Sequence, residues 1–528
     1  MQAFISSGFA SLPACRYLLL QVTDAARARA WIGRLLDSGV VPNVGILPLK
    51  RAATPVQCAA MVAFTFGGLM ALGLQEDPAQ PFPSGFSGGM VNPRRSRLLG
   101  DDNVDQWNWV DAAQHDGPGE GRAGKVAHVL VGIFSAEPGV WPASVQAPTA
   151  HGDGLEIVRE VETCRAYLRL NEASGETSLT EPFGFRDGIS QPVIKGLRAA
   201  DSRGAGAGGS SASTADDDLV EPGEFILGYI NEYGEPAYCP DVKGFAQADN
   251  PHPFGMNGTY LVARQIYQDV EAFRRFETLS RAASPGRPSA AEKMMGRYKC
   301  GRPLVESPFP TEDLNDFRFR QFDLEGFQCP RGAHVRRANP RDLLGSDTPS
   351  GIAASKLHRL LRRGRVYGRD GAGAASCSGP CSGKTAPGET PDEPHAGRGS
   401  AGACGQGLFF VALNADLERQ FEIVQSRWLA NRRFNDLEGD DDVSVPTGQA
   451  RHFSIQGLPT GRSLGPEAGL QDFTTVIGGG YFFLPGLRAL RFIAAGARRP
   501  APEPAPGPGP GAGDPGAPAP RASGTTPP

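Results

Sequence analysis

The stretch GLFFVALNADLERQFEIVQSRW, Gly407–Trp428, predicts a strand that is followed directly by a helix. Leu408–Leu413 is a short apolar run of the length expected for a buried strand. Asn414 is of a residue type that often caps helices, and it stands where the helix would begin. The apolar residues that would share one face of this helix are Leu417, Phe421, Val424 and Trp428. The pattern therefore indicates an amphipathic helix packed on a sheet.

The same strand-then-helix unit occurs at least twice more. Tyr17–Val22 is a continuous apolar run, after which Thr23 or Asp24 can cap a helix. Thr259–Ile266 is another such run, and Asp269 follows it as a cap. Further strands are predicted at His128–Ser135, Glu224–Tyr229 and Tyr481–Leu484. Together these units predict a duplicated α+β fold with helices on one face of each sheet.

Glycine and proline mark the divisions of the chain. Of its 528 residues 69 are glycine and 46 are proline, and they concentrate in three stretches with almost no large apolar side chains. These stretches are 199–218, 370–406 and 497–528. We expect the first two to be low-complexity inserts and the third to be a disordered tail. The chain between them would form an N-terminal domain, 1–198, and a C-terminal domain, 219–496.

Composition excludes several classes of protein. The 40% hydrophobic and 21% charged content is typical of a globular protein, and no apolar run reaches the 18 or so residues that span a bilayer. A net charge of −4 gives no sign of a nucleic-acid partner. The first twenty residues lack the features of a secretory signal, and the nine cysteines are odd in number and scattered. We therefore expect a cytoplasmic protein with reduced thiols.

The segment EPFGFRDGISQP, Glu181–Pro192, places one carboxylate, Asp187, on a short glycine-bracketed loop. Phe183 and Phe185 would exclude water from Asp187 and raise its pKa, as general acid–base chemistry near neutral pH requires. The alternative is an Asx-turn, in which Asp187 only caps its own loop.

The segment CPRGAHVRRANPRD, Cys329–Asp342, carries His334 after two small residues that would let a bulky planar ligand approach. A lone histidine is more often a hydrogen-bonded structural residue than a metal ligand, so both interpretations stay open. Further on, Lys356–Gly368 holds a cluster of arginines at the end of a predicted amphipathic helix. Either this cluster is a solvated basic face, or one guanidinium points inward to bind an anion or a developing negative charge.

Together, these three segments resemble those of the dye-decolorising peroxidases, a haem peroxidase family with a duplicated ferredoxin-like fold. The family's G-x-x-D-G motif matches Gly184–Gly188, and its H-x-R-x-x-N-P-R type segment matches His334–Arg341. Its arginine segment before an aromatic-glycine pair matches Arg362–Gly368. The resemblance extends from about Tyr17 to Ile493 and keeps the order of the motifs. It implies an α+β fold of two ferredoxin-like domains, antiparallel sheets with helices packed on them, that enclose a haem pocket.

The resemblance also implies catalytic roles. His334 would be the proximal axial ligand of the iron of haem b, bound once per chain. Asp187 would lie on the distal side and move the proton of peroxide. Arg362 would stabilise charge on the departing oxygen and reach a haem propionate.

Three further residues would contact haem or its ligand in this family. Leu408 and Phe410, alternate residues of one strand, would roof the distal pocket. Glu422 would accept the N–H of the proximal imidazole and so raise electron density at the iron. Gly364 departs from the pattern of several bacterial members, which carry asparagine at that place. The distal chemistry would then fall to Asp187 and Arg362.

The implied function is a peroxidase that reduces hydrogen peroxide and oxidises bulky organic donors such as dyes and phenolics. The same fold and ligands would also suit a haem-processing protein that releases iron from haem or oxidises porphyrinogens, and the motifs do not separate the two. A haem-binding module without turnover is the third interpretation. Asp187 and Arg362 argue against it, because a carrier needs no distal acid–base pair. The sequence indicates no particular oligomeric state.

Overall fold

A computed structural model describes residues 1–44, 57–111, 125–141, 148, 150–170, 177–197, 217–246, 251–283, 288–306, 314–368, 405–457 and 462–496. The predicted inserts 199–218 and 370–406, apart from their last two residues, and the predicted tail 497–528 lie outside the described residues. Among the described residues, no helix combines the length and apolar character needed to cross a membrane.

The described chain contains both strands and helices. The strands are β1 (Ala14–Val22), β2 (Cys58–Phe64), β3 (Val110–Asp111), β4 (Val126–Ala127), β5 (Val129–Ser135), β6 (Leu155–Cys164), β7 (Tyr167–Leu170), β8 (Thr177–Thr180), β9 (Val193–Ile194), β10 (Leu219–Val220), β11 (Thr259–Gln268), β12 (Leu361–Arg362), β13 (Arg365–Tyr367), β14 (Gly407–Asn414), β15 (Phe453–Ile455), β16 (Arg462–Leu464) and β17 (Thr474–Leu484). The α-helices are α1 (Ala25–Asp37), α2 (Phe66–Ala71), α3 (Ser84–Gly88), α4 (Pro93–Leu99), α5 (Ala150–Asp153), α6 (Val270–Ala283), α7 (Ala290–Met295), α8 (Phe319–Phe322), α9 (His334–Ala338), α10 (Thr348–Lys356) and α11 (Leu487–Ala495). Two π-helical segments, Glu418–Glu422 and Val424–Leu429, follow β14.

Two antiparallel sheets share one strand order. Strands from residues 1–198 lie in the order β6-β1-β5-β2, which is fourth, first, third, second along the chain. Strands from residues 219–496 lie in the order β17-β11-β14-β13, with β12 also on β14. If β12 and β13 are counted as one strand, these four strands again lie in the order fourth, first, third, second along the chain. The order is that of the ferredoxin-like unit, so the predicted duplicated α+β fold is confirmed.

The two sheets are joined at both edges. β13 pairs with β6, where Val366 lies opposite Cys164. At the other edge β17 pairs with β2, where Phe483 lies opposite Phe64. Eight strands therefore form a closed ring, and β3 and β4 extend from β17.

Alternate residues of the strands divide between two apolar clusters. In β1, Leu18 and Leu20 belong to the cluster that also contains Ile32 of α1. Tyr17 and Leu19 belong to the other cluster, and the ring of Tyr17 stacks on that of Phe409 in the second sheet at 4.3 Å. Packing between aromatic rings thus holds the two sheets together in addition to strand pairing.

The caps expected for two helices are confirmed. Asp24 accepts a hydrogen bond from the N–H of Arg27 at the start of α1, and Asp269 accepts one from Ala272 in α6. The cap predicted for the helix after β14 was wrong. This helix is π-helical, Asp416 accepts the N–H of Arg419 in its first turn (2.9 Å), and Asn414 remains in the strand. The face predicted for this helix is nevertheless buried.

The strand predicted at Glu224–Tyr229 is absent from this described segment. Pro222–Glu224 instead forms a 3-10 turn. Glu224, the last residue of this turn, is fully buried and forms an ion pair with Arg419 (2.8 Å).

The expectation of reduced thiols holds for the described cysteines except Cys164. Cys15, Cys58, Cys239, Cys300 and Cys329 are free thiols. Cys164, the last residue of β6, is disulfide-bonded, and its partner lies outside the described residues.

Candidate active site

His334 is the first residue of α9, a five-residue helix that is fixed by two buried arginines. Arg336 donates to carbonyl oxygens of the loop that precedes the helix, at 2.8–3.0 Å. Arg337 donates to the carbonyl oxygens of Trp428 (3.0 Å) and Asp440 (3.1 Å). These bonds satisfy the last carbonyls of the π-helical segment and hold α9 against it. The position of His334 is therefore set by buried, charge-assisted hydrogen bonds.

The imidazole of His334 is oriented by a buried aspartate. Its Nδ1 lies 3.0 Å from Oδ1 of Asp442, and Ser444 donates to the same carboxylate oxygen at 2.6 Å. Burial acts to raise the pKa of Asp442, but His334, the charge of Arg337 and the hydroxyl of Ser444 outweigh it and hold the pKa well below its usual range. An anionic acceptor at Nδ1 fixes the tautomer of the ring and leaves Nε2 for a metal.

The role predicted for Glu422 was wrong. Its carboxylate pairs with Arg95 and accepts the hydroxyl hydrogen of Tyr481 at 2.9 Å. The acceptor of the His334 imidazole is Asp442, which comes from the loop after the π-helical segments. Glu422 lies on the helix and is committed to a separate buried ion pair.

Asp187 lies on an exposed turn. Its Oδ1 accepts the N–H of the next residue, Gly188, at 2.6 Å, a local bond that is one residue shorter than that of an Asx-turn. The preceding residue, Arg186, donates its backbone N–H to the carbonyl oxygen of Lys299 (3.0 Å), which ties the turn to the second half of the chain. The backbone that presents the carboxylate is thus anchored on its N-terminal side.

The expectation that phenylalanines would shield Asp187 from water was wrong. Phe183 stacks on Phe273 at 4.2 Å, and Phe185 meets the same ring edge-on at 6.4 Å. Both belong to an apolar cluster under the loop, whereas Asp187 is exposed. Gly184, at φ +93°, turns the chain between the two rings, which only glycine does without strain.

The structure brings the arginine segment to the Asp187 loop. The guanidinium of Arg362 donates to the carbonyl oxygen of Ile189 at 2.6 Å, and its backbone N–H donates to Oε1 of Gln191. Arg362 lies on β12 and not at a helix end, because α10 stops at Lys356. The guanidinium of Arg362 thus faces the Asp187 loop and is not part of a solvated face, while its binding of an anion stays a prediction.

Leu408 and Phe410 share a face of β14 with the residue opposite Arg362. Arg362 pairs with Ala412, and residues two apart on a strand point the same way. Leu408 and Phe410 are half-buried, and Phe410 lies 6.3 Å from the ring of Phe421. One side of the sheet thus combines a guanidinium with apolar groups next to the Asp187 loop.

Three more arginines converge on the same loop at Ser190. Arg297 and Arg341 donate to its hydroxyl oxygen at 3.0 and 3.3 Å, and Arg359 donates to its carbonyl oxygen at 3.3 Å. Arg359 also pairs with Asp218 (2.7 Å). Arg359 belongs to the arginine cluster predicted from the sequence and Arg341 to the segment that resembles N-P-R, whereas sequence reasoning missed Arg297.

The cluster holds more guanidinium groups than carboxylates, since Asp218 forms its ion pair with Arg359. Among the described residues, the hydrogen bonds of Arg297 and Arg341 go to carbonyl, hydroxyl and amide oxygens. Burial and the like charge of Arg341 lower the pKa of Arg297 to about 9. Guanidinium groups packed this way favour a bound anion, and carboxylates suit their fork geometry.

A further polar group near His334 lacks a partner. The amide of Asn339, which ends α9, is buried, and neither its oxygen nor its nitrogen bonds to a described residue. Within the described part of the chain, no group of three or more metal-ligating side chains occurs. Haem iron needs only one protein ligand, and haem carries two carboxylates. A single oriented histidine, a cationic cluster and an orphaned amide together fit that group.

Sequence comparisons connect this site to known enzymes. No family model matches the chain. The chain is 26% identical over 502 residues to the dye-decolorizing peroxidase msp1 of Mycetinis scorodonius, which covers 90% of this chain and 84% of the relative. It is 25% identical over 480 residues to the dye-decolorizing peroxidase AauDyP1 of Auricularia auricula-judae, with 86% and 79% covered.

Solved structures show the same fold. A decolorizing peroxidase from Auricularia auricula-judae has a TM-score of 0.62 at 22% identity, with 94% of this chain and 99% of that one covered. The DyP-type peroxidase of Anabaena sp. has a TM-score of 0.63 at 21% identity, with 91% of each covered. A dye-decolorizing peroxidase in complex with 2,6-dimethoxyphenol has a TM-score of 0.62 at 20% identity, with 94% and 98% covered.

Fold, motifs and relatives agree on one class of enzyme, the peroxidases. The resemblance to the dye-decolorising family is confirmed over most of the chain. The chain is similar to peroxidases of the dye-decolorising type over most of its length.

Proposed function

We propose that the protein binds haem b, one per chain, reduces hydrogen peroxide and oxidises bulky organic donors such as dyes and phenolics. The observation that carries the proposal is the pairing of His334 with the buried Asp442, at 3.0 Å, which leaves one ring nitrogen for iron. The complex of a structural relative with 2,6-dimethoxyphenol supports a phenolic donor.

His334 would hold the iron, and the cationic cluster around Ser190 would hold the propionates. Bound haem supplies the iron at which the oxygen–oxygen bond of peroxide is broken. The anionic Asp442 keeps Nδ1 of His334 protonated and makes the ring a stronger electron donor. Leu408 and Phe410 would form an apolar wall that restricts water on the distal side.

Asp187 and Arg362 would have different roles on the distal side of the haem. Peroxide must lose a proton from one oxygen and gain one on the oxygen that leaves. Oδ1 of Asp187 is occupied by the N–H of Gly188, so Oδ2 is the atom that would take and return the proton. Arg362, anchored to Ile189, would stabilise negative charge on the leaving oxygen without moving a proton.

An absorption spectrum with a subsequent turnover assay tests the proposal. The purified protein, supplemented with haem, should show a Soret band and oxidise a phenolic donor when hydrogen peroxide is added. Absence of the band would reject haem binding. A band without peroxide-dependent oxidation would reject the peroxidase function and leave a haem-binding module or a haem-processing protein.

The cytoplasmic location stays a prediction. The disulfide at Cys164 weighs against it, because structural disulfides are rare in that compartment. Hydrogen peroxide and the organic donor are the partners that the proposal requires.

A further inference from the structure

Glu181 is a buried carboxylate at the start of the segment that carries Asp187, and the proposed function leaves it unused. Its residue is 8% exposed. Its Oε1 accepts the N–H of Phe185 at 2.9 Å. Its Oε2 accepts the N–H of Phe183 at 3.0 Å and a side-chain N–H of Gln268 at 2.9 Å. Three donors from two parts of the chain therefore meet on one carboxylate.

The backbone of Glu181 encloses the same turn. Its N–H donates to the carbonyl oxygen of Phe185, and its carbonyl oxygen accepts the N–H of Gly184, each at 2.9 Å. Burial raises the pKa of the carboxyl group, and the hydrogen bonds from Gln268 and the two backbone amides oppose that shift. Burying a carboxylate costs free energy unless it is hydrogen-bonded, so the hydrogen bonds of Glu181 strongly constrain the conformation of the turn.

The third donor connects the turn to the proximal side. Gln268 is the last residue of β11 and lies opposite Thr474 of β17. The hydroxyl of Thr474 donates to the carbonyl oxygen of Ser444 at 3.0 Å. Ser444 in turn donates to Asp442, the acceptor of the His334 imidazole. The turn that carries Asp187 and the loop that holds Asp442 beside His334 are thus both anchored where β11 ends and β17 begins.

We propose that Glu181 is a positioning residue for Asp187, because its carboxylate fixes the Phe183–Gly188 turn to the strand end that also supports the proximal histidine. The inference rests on the proposed function, since the placement of Asp187 matters only if the carboxylate of Asp187 moves the proton of peroxide. Glu181 itself touches neither peroxide nor haem in this assignment.

A double-mutant cycle separates positioning from a general structural role. Glu181→Gln keeps the shape of the side chain but replaces one acceptor oxygen with a donor. In the haem-loaded enzyme it should slow the reaction with peroxide about tenfold or more, because small misplacements of a reacting group are costly. In an Asp187→Asn background the same change should alter the rate by less than about twofold, because the misplaced group is already inactive. An equal loss in both backgrounds would overturn the proposal.

Hydrogen exchange of the apoprotein gives a readout that needs no haem. The amides of Phe183, Phe185 and Gly188 should exchange faster in Glu181→Gln than in the wild type. The matched control is Glu224→Gln, a fully buried glutamate that accepts the N–H of Glu232 (3.1 Å) outside the site. It should leave the exchange of the turn and the peroxide rate unchanged. Wild-type exchange of the turn in Glu181→Gln would overturn the proposal.

A milder variant covers the case in which Glu181→Gln does not fold. Gln268→Met removes the third donor and leaves both backbone bonds of Glu181, so a smaller loss of rate and a smaller increase in exchange are expected. Wild-type values for both would overturn the proposal. If Asp187→Asn alone reacts at the wild-type rate, the proposed distal chemistry is wrong. If Asp187→Asn is slow and Glu181→Gln is not, only the role of Glu181 is wrong.

Discussion

Arg362 donates a hydrogen bond to the carbonyl oxygen of Ile189, which lies 173 positions earlier in the chain and two residues after Asp187. This bond joins the arginine segment to the aspartate turn. It brings a side chain that does not titrate to the turn that carries a titratable carboxylate. The two side chains can therefore be assigned different parts of one reaction.

Asp187→Asn and Arg362→Leu should slow the reaction with peroxide in different ways. Loss of a general acid–base costs about 10²–10⁴-fold and should flatten the acidic limb of the pH profile. Loss of a fixed charge-stabilising donor costs about 10²–10³-fold and should leave the shape of the profile unchanged. Stopped-flow mixing with hydrogen peroxide between about pH 3 and 8, which brackets carboxylate titration, measures both. Arg27→Leu, an exposed arginine on α1, is the control. Wild-type rates in both site variants would place the chemistry elsewhere.

His334→Ala should lose haem or bind it far more weakly, because the only side chain assigned to the iron is removed. His358→Ala and His452→Ala should keep a wild-type spectrum. In the structure His358 is bonded to the carbonyl oxygen of Arg419, and His452 to Asp440. Haem content after extraction and the ferric absorption spectrum give the comparison. An unchanged spectrum in His334→Ala would require a different ligand.

Asp442→Asn should raise the reduction potential of the bound iron and lower activity about 10- to 100-fold. The neutral amide still faces Nδ1 of His334 but no longer makes the ring a strong donor. Glu422→Gln is the matched control, since Glu422 pairs with Arg95 and Tyr481. Spectroelectrochemical titration of both variants measures their reduction potentials and shows whether Asp442 or Glu422 tunes the iron. A shifted potential in Glu422→Gln, with none in Asp442→Asn, would restore the role expected from the sequence.

His128 should make the fold less stable in mild acid. Its Nδ1 accepts the N–H of Val22 (3.0 Å), and burial lowers its pKa from 6.5 to about 4. In mild acid the unfolded chain therefore binds a proton at His128 that the folded chain does not bind. This contribution is complete above pH 6.5 and is lost as the pH falls towards 4, at up to about 1.4 kcal/mol per pH unit.

Denaturant unfolding of the apoprotein at pH 7 and pH 5 tests this. His128→Asn keeps an acceptor but does not titrate, so its stability should fall less between the two pH values than that of the wild type. His252→Asn, at an exposed histidine, should behave as the wild type does. Equal falls in His128→Asn and the wild type would show that another group carries the effect.

Local patterns predicted most of the fold. Apolar runs gave β1, β11 and β14, and the caps Asp24 and Asp269 were correct because a cap bonds within its own first turn. The error at Asn414 is also local. Two residues further along, Asp416 offers a stronger acceptor to the same helix start.

The partners within the site could not be predicted in this way. His334 and Asp442 are 108 positions apart, and Asp442 is the last of three consecutive aspartates, of which the sequence does not say which faces inward. Glu422 was chosen from a resemblance, and only packing shows that Arg95 already holds it. The exposure of Asp187 likewise follows from where Phe183 and Phe185 pack, which is a tertiary property.

The closed ring of strands has a consequence for access to the site. Because the two sheets are hydrogen-bonded at both edges, the described parts of the two halves cannot swing apart without breaking one of these pairings. Opening either edge would break strand pairing and expose the apolar rings between the sheets. Separation of the sheets is therefore a costly route for reactants, and movements of side chains and loops cost less free energy.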